Sequence, residues 1–141
     1  MIPLIEHIYA SKGLYQQLIN PLCRKYDLTD SQVAVLLYVA DPNPADTAAK
    51  IIKSQRLKKS LVSMSIDDLE KRGLITSYYK EGDHKSKHLK VNEEARPIIE
   101  EALRIQEEYY ALLTKGLSEK DKVTLNRCMS LVNMNISRYD S

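Results

Sequence analysis

Apolar residues recur at helical spacing through most of the chain. Leu4, Ile5 and Ile8, then Leu14, Leu18, Ile19 and Leu22, predict one long helix from Ile2 to Lys25 that Gly13 and Pro21 can kink. Thr29-Asp30-Ser31-Gln32 is a capping box: the threonine can accept the third helical N–H and the glutamine can reach back, worth about 1 kcal/mol. It predicts a second helix from Asp30 to Ala40, broken by Pro42 and Pro44. Asp46 or Thr47 can cap a third, short helix from Ala48 to about Ser54, with Ala49, Ile51 and Ile52 as its packing residues. A tight turn at Gln55-Arg56 leads into a longer helix, Leu57 to about Arg72.

On that longer helix Val62, Ile66 and Leu69 share one narrow stripe, the buried face, with Ser65 and the Lys58 stem at its margins. The opposite face carries Ser60, Ser63, Met64, Asp67 and Lys71, flanked by Lys59 and Leu61. An ordinary exposed face would favour Glu/Lys pairs four apart, and serines with an outward methionine have little local rationale there. Gly73, after Lys71 and Arg72, can close the last turn in the left-handed conformation. Two helices joined by so short a turn form a helix-turn-helix, in which the second enters a DNA groove and the first braces it.

Beyond Gly73 the period changes. Leu74 to Tyr79 and Lys87 to Val91 read as strands around the loop Lys80-Glu81-Gly82-Asp83-His84, with Leu89 and Val91 turned inward. Asn92 is expected to cap the next helix, and Pro97 predicts a kink or a restart. Ile98, Ala102, Leu103, Ile105, Leu112 and Leu113 keep helical spacing to Thr114, and Gly116 ends that helix. Ser118-Glu119-Lys120-Asp121 starts a last one carrying Val123, Leu125, Cys128, Leu131, Val132 and Ile136.

The fold class is therefore mainly α with a small β-hairpin wing: a winged helix-turn-helix domain plus N- and C-terminal dimerisation helices. The expected division is an N-terminal dimerisation helix at 1–27, a DNA-binding region at 28–92 and C-terminal dimerisation helices at 93–141, one intertwined domain. The terminal thirds hold more apolar surface than a winged helix needs, which implies packing between copies; burial within one chain is the competing reading.

Charge sharpens the picture. The 141 residues carry a formal net charge of only +2, yet Thr47 to Val91 holds eleven Lys/Arg against five Asp/Glu, a net +6, and the remainder is −4. No acid occurs between Asp46 and Asp67. Such a local field is what a polyanion needs, because each neutralised phosphate releases condensed counterions. The candidate DNA-binding residues are Lys58, Lys59, Ser60, Leu61, Ser63 and Met64 on the helix and Lys80, His84, Lys85 and Lys87 on the wing, whose positive edge also takes in Lys90 and His88. Asp67 and Asp68 limit how deep the C-terminal half of the helix can lie.

Other classes find little support. His7, His84 and His88 join no Ser/His/Asp set, there is no phosphate-cradling glycine loop, and His84, His88 and Asp83 are an incomplete ligand set; no enzyme activity, metal or cofactor is expected. Cys23 and Cys128 make no secreted disulfide framework, so reduced thiols are expected. The start MIPLIEHIYA lacks a signal peptide's pattern, and no run approaches the roughly twenty apolar residues of a membrane span, so a cytoplasmic protein is expected. A winged helix serving as a protein-interaction module without DNA is the alternative, and the concentrated positive charge argues against it.

The helix order, the segment KKSLVSMSIDDLEKRGLI, the basic wing and the LSEKD start of the final helix together resemble the MarR family of bacterial transcriptional regulators. The resemblance runs from about Tyr9 to Ile136, and its best motif is Lys59-Ser60-x-Val62-Ser63 followed by Leu69-Glu70-Lys71-Arg72-Gly73-Leu74. It implies a homodimer on a pseudo-palindromic operator, read here as a repressor released by a small ligand. By that resemblance Lys59, Ser60, Leu61, Ser63 and Met64 face the major groove and Lys85 lies on the minor-groove wing. This chain departs from the pattern twice: Asp83-His84-Lys85-Ser86-Lys87 has lysines where an Asp-x-Arg is common, and Met64 stands where an arginine is frequent. The resemblance further implies a site for a small aromatic effector, with Tyr15, Tyr38 and Tyr109 as candidate lining residues among nine tyrosines, and Tyr9, Tyr26 and Tyr110 in neighbouring segments. Tyrosines that simply fill a core while satisfying their hydroxyls are the plainer reading.

Overall fold

The computed structural model describes residues 1–55 and 58–139. Over these the chain runs α1 (Pro3–Tyr26), α2 (Asp30–Ala40), α3 (Ala48–Gln55), α4 (Lys59–Lys71), β1 (Ile75–Tyr79), β2 (Lys87–Val91), a 3-10 turn (Glu93–Ala95), α5 (Arg96–Leu113) and α6 (Glu119–Ser137). Two compact units form, Met1–Gln106 and Glu107–Ser141, the division falling within α5.

The core of the first unit gathers Leu36 of α2, Ile51 of α3, Leu69 and Val62 of α4 and Ile75 of β1, all fully buried. Burying each such side chain contributes about 1.5–3 kcal/mol. Helix α2 stands at the centre and buries Val33, Val35, Leu36 and Val39, which is why its apolar residues are not confined to one stripe. The capping box that starts it is formed: the Gln32 N–H donates to Thr29 Oγ1 at 3.1 Å, and the Thr29 N–H donates to Gln32 Oε1 at 2.9 Å. Helix α1 runs unbroken through Pro21, buries only Ile19 and Leu22, and ends where Asp27 takes the left-handed conformation at φ 52°.

Helix α4 buries the predicted stripe, with one reassignment at its margin. Ser65 is as buried as its apolar neighbours, its hydroxyl donating to the Leu61 carbonyl at 2.9 Å, whereas Lys58 is exposed at the N-cap position. The turn proposed at Gln55-Arg56 and the helix start at Leu57 fall on residues outside those described. In α3, Ile51 is buried and Ala48 and Ile52 pack against the core, while Ala49, expected there, is exposed. Gly73 closes α4 at φ 72°: its N–H donates to the Glu70 carbonyl and the Leu74 N–H to the Leu69 carbonyl, both at 3.0 Å. This is the Schellman arrangement, which leaves the position to glycine.

Strands β1 and β2 pair antiparallel with Ile75 opposite Val91 and Tyr79 opposite Lys87. The loop before α3 joins them, since Thr47 bridges His88 and the Leu89 N–H donates to the Asp46 carbonyl at 2.8 Å. The sequence led one to expect a side-chain cap from Asn92, and the structure shows none. The Asn92 amide donates to the Gly73 carbonyl at 2.9 Å and accepts from the Thr76 hydroxyl at 2.8 Å, so it latches the base of the hairpin to the end of α4. The helix beyond restarts as predicted, a 3-10 turn giving way to α5 with Pro97 in its first turn, where the missing N–H costs nothing.

In the second unit a capping box again starts a helix: Ser118 Oγ accepts the Asp121 N–H and Asp121 Oδ2 accepts the Ser118 N–H, each at 3.1 Å. No residue of α6 is buried, and Val123 is 68% and Met134 55% exposed.

Candidate nucleic-acid interface

The N-terminal half of α4 presents Lys58, Lys59, Ser60, Leu61 and Met64 to solvent, with Ser63 half-buried beside them. Met64 is 69% exposed and Leu61 40%, an apolar pair on an outer face that carries no acid until Asp67. The helix is held from below at its other end. The Arg72 guanidinium donates to the Asp27 carbonyl at 2.6 Å and also to the Tyr26 carbonyl, the C-terminal groups of α1. The Gln32 amide, part of the α2 capping box, donates to Asp68 Oδ2 at 2.6 Å. Asp68 therefore braces α4 to α2, while Asp67 is exposed. Sequence reading gave Arg72 and Asp68 no such role, because their partners are backbone and side-chain groups some 40 residues away.

The wing tip is a turn ordered by its own residues. Gly82 has φ 78°, the Asp83 N–H donates to the Lys80 carbonyl at 3.0 Å, and Asp83 Oδ1 accepts the Lys85 N–H at 2.9 Å. Lys80, His84 and Lys85 are exposed around it, the His84 ring centre 6.2 Å from that of Tyr79. Lys87 is also exposed but shares its charge: its ammonium lies 3.7 Å from Glu70 of α4, and the same carboxylate accepts from the Ser77 hydroxyl. Lys90 lies over the Tyr78 ring at 5.9 Å.

His88 must be removed from the wing's positive edge. It is 7% exposed, with Nδ1 3.1 Å from Asp46 Oδ2 and its ring centre 5.5 Å from that of Tyr78. Burial by itself would raise the Asp46 carboxyl, but hydrogen bonds from Lys50 and His88 more than reverse this and hold it below the usual aspartate range. The pair ties the hairpin to the segment between α2 and α3, and it takes His88 away from His84, so the two never share a ligand position. Among the described residues no group of three or more His, Cys, Asp or Glu could hold a metal ion. Cys23 is half-buried and Cys128 exposed, both as free thiols; burial pushes the Cys23 thiol up, away from the reactive thiolate. Among the described residues no helix is long and apolar enough to cross a membrane.

Of the tyrosines singled out for a ligand site, Tyr15 of α1 and Tyr38 of α2 line one cavity of about 320 Å³, together with Asp30, Ser54 and the apolar Ile19 and Val33. Gln106 donates to the Tyr15 hydroxyl at 3.3 Å, and the Tyr38 hydroxyl faces the Ser54 carbonyl at 3.4 Å; burial raises the Tyr38 phenol above its ordinary value. Tyr109 belongs to the second unit, where it is half-buried. Tyr26 is used elsewhere: its hydroxyl donates to Glu101, which also takes Lys25 at 2.8 Å. Tyr9 is exposed, and Tyr110 faces Asn126 at 3.5 Å.

Residues 26–86 match the family model described as the MarR family. The whole chain is similar to a MarR-family transcriptional regulator from Listeria monocytogenes solved in complex with 26mer DNA, at 22% identity over 98% of this chain and 91% of that one, with a TM-score of 0.86. It is similar to the transcriptional regulator SlyA at 20% identity over 97% and 96%, TM-score 0.82. It is also similar to BpsR of Bordetella bronchiseptica, whose DNA binding is regulated by 6-hydroxynicotinic acid, at 16% identity over 94% and 99%, TM-score 0.71. At these identities the likeness is one of fold.

Proposed function

We propose that this chain, a MarR-family winged-helix protein by its residues 26–86 and by its fold throughout, is a sequence-specific double-stranded DNA-binding repressor that acts in the cytoplasm as a homodimer on a pseudo-palindromic operator. The observation that carries the reading is the outer face of α4 from Lys58 to Met64: cationic at its start, then short polar and apolar, free of acid, and braced at its far end by Arg72 and Gln32. A face of that make-up suits a major groove, with Lys58 and Lys59 on phosphates and Ser60, Leu61, Ser63 and Met64 at base edges. Lys80, His84 and Lys85 at the wing tip suit adjacent phosphates or the minor groove, and Lys87 divides its charge between DNA and Glu70. The homodimer reading rests on α6, none of whose residues is buried, and on the exposed apolar residues at the start of the chain, Ile2, Leu4, Ile5 and Ile8.

The cavity beside Tyr15 and Tyr38 supports the further reading that a small aromatic effector releases the protein from DNA; the DNA binding of BpsR, a protein of similar fold, is regulated by 6-hydroxynicotinic acid. The test is affinity for a random-sequence duplex and for a selected operator across salt concentrations. Log affinity should fall linearly with log salt, and Lys58→Ala and Lys59→Ala should each lower the slope by about two on the operator, one phosphate contact being lost in each half-site, without changing base preference. A flat salt response would assign the domain to a protein partner instead.

A further inference from the structure

The cavity between α1 and α2 has one charged residue among its described lining, Asp30, and it is an acid. Two aromatic rings, Tyr15 and Tyr38, stand in the same wall, with Ile19, Val33 and Ala34 as the apolar floor. A carboxylate and the negative faces of aromatic rings both favour positive charge and disfavour a carboxylate-bearing ligand. The start of α2 also lies here, and a bare helix N-terminus would attract an anion. In this chain three of its donors are already used: the Ser31 N–H is taken by Asp30 Oδ1 at 2.9 Å, the Gln32 N–H by Thr29 Oγ1 at 3.1 Å, and the Val33 N–H by the Thr29 carbonyl at 3.1 Å. What the described lining offers a charged ligand is the second oxygen of Asp30 and the two aromatic rings, beside the uncharged Gln16, Ser31 and Ser54.

We infer that this cavity takes an aromatic or alicyclic amine in its cationic form, rather than an aromatic acid. The inference rests on the effector reading given above and states the chemical class that the site selects. A volume of about 320 Å³ suits a one- or two-ring amine, with the ammonium at Asp30 and the ring between Tyr15, Tyr38 and the apolar floor.

The test uses three near-isosteres on the full chain at pH 7: phenethylamine as the cation, 2-phenylethanol as the neutral form and phenylacetate as the anion, each titrated by calorimetry. The amine should bind about three- to tenfold more tightly than the alcohol, and the acid more weakly than both. Asp30→Asn, at an exposed first-turn position that leaves the Thr29–Gln32 box intact, should erase the amine's advantage and leave the alcohol's affinity unchanged. An acid that binds as well as the amine, or an amine advantage that survives Asp30→Asn, overturns the assigned class while leaving the effector site standing. Absence of binding by all three at millimolar concentration, or binding indifferent to Tyr38→Leu in a folded protein, overturns the effector site and the inference together.

Discussion

Met64 is the residue whose chemistry departs most from its surroundings. A thioether 69% exposed on a helix otherwise dressed with lysine and serine gains nothing from water, and its flexibility suits it to an irregular apolar target. On the proposed complex that target is a thymine methyl, the one apolar group in the major groove. Met64→Ala should therefore weaken binding to the preferred operator by about fivefold per half-site, the value of one or two buried methylenes, and flatten the preference at a single base position in each half-site. Selection of bound sequences with both proteins reads this directly; an identical base preference at every position would sink the assignment. Stability should be unchanged, because the side chain touches water on the free protein.

The hairpin is fastened to the helices around it at three places, by Asp46 to His88, by Glu70 to Ser77 and Lys87, and by Asn92 to Gly73 and Thr76. The first responds to acid. Because the Asp46 carboxyl is held below the usual aspartate value of about 3.9, its contribution is fully present above that value and is lost as pH falls through the depressed one. Urea unfolding should show Asp46→Asn about 1–3 kcal/mol less stable than the parent near neutrality, with the gap closing toward pH 3. Parallel curves for the two proteins would remove Asp46 from this role.

The hairpin also shows where the chain could be read and where it could not. Its strands, Gly73, the Thr29–Gln32 capping box and the helix start at Ser118 were legible because periodicity, glycine and caps act within a few residues. The burial of His88 was not. A hairpin with one covered face alternates, but β2 buries His88 and Leu89 in succession because the Asp46-Thr47 segment lies along it, 41 or 42 residues earlier in sequence. Arg72 was hidden for the same reason: a cation after a helix looks like a dipole partner until the carbonyls of Tyr26 and Asp27 are found in its reach. The outer face of α4 could be read, because exposure follows from the period of the helix once its buried stripe is known.

Across the whole molecule the apolar residues are unevenly covered. Among the described residues nineteen form a core cluster, all drawn from Ile19 to Ala102, while Val123, Leu125, Met129, Leu131, Met134 and Ile136 of α6 lie open. On the proposed homodimer that surface closes only when two copies meet, so folding and association become one equilibrium. The melting temperature should then rise with protein concentration, each tenfold increase adding about 1.4 kcal/mol per mole of dimer. A transition independent of concentration over two decades, with a monomer by sedimentation, would refute the arrangement. The consequence for a cell reaches beyond structure. On that proposed dimer a chain whose last helix is finished by its twin would respond to its own abundance: scarce copies would stay half-built and exposed to proteases, and plentiful ones would protect each other. Operator occupancy would then rise with the square of expression, giving the gene a threshold that its promoter alone does not supply.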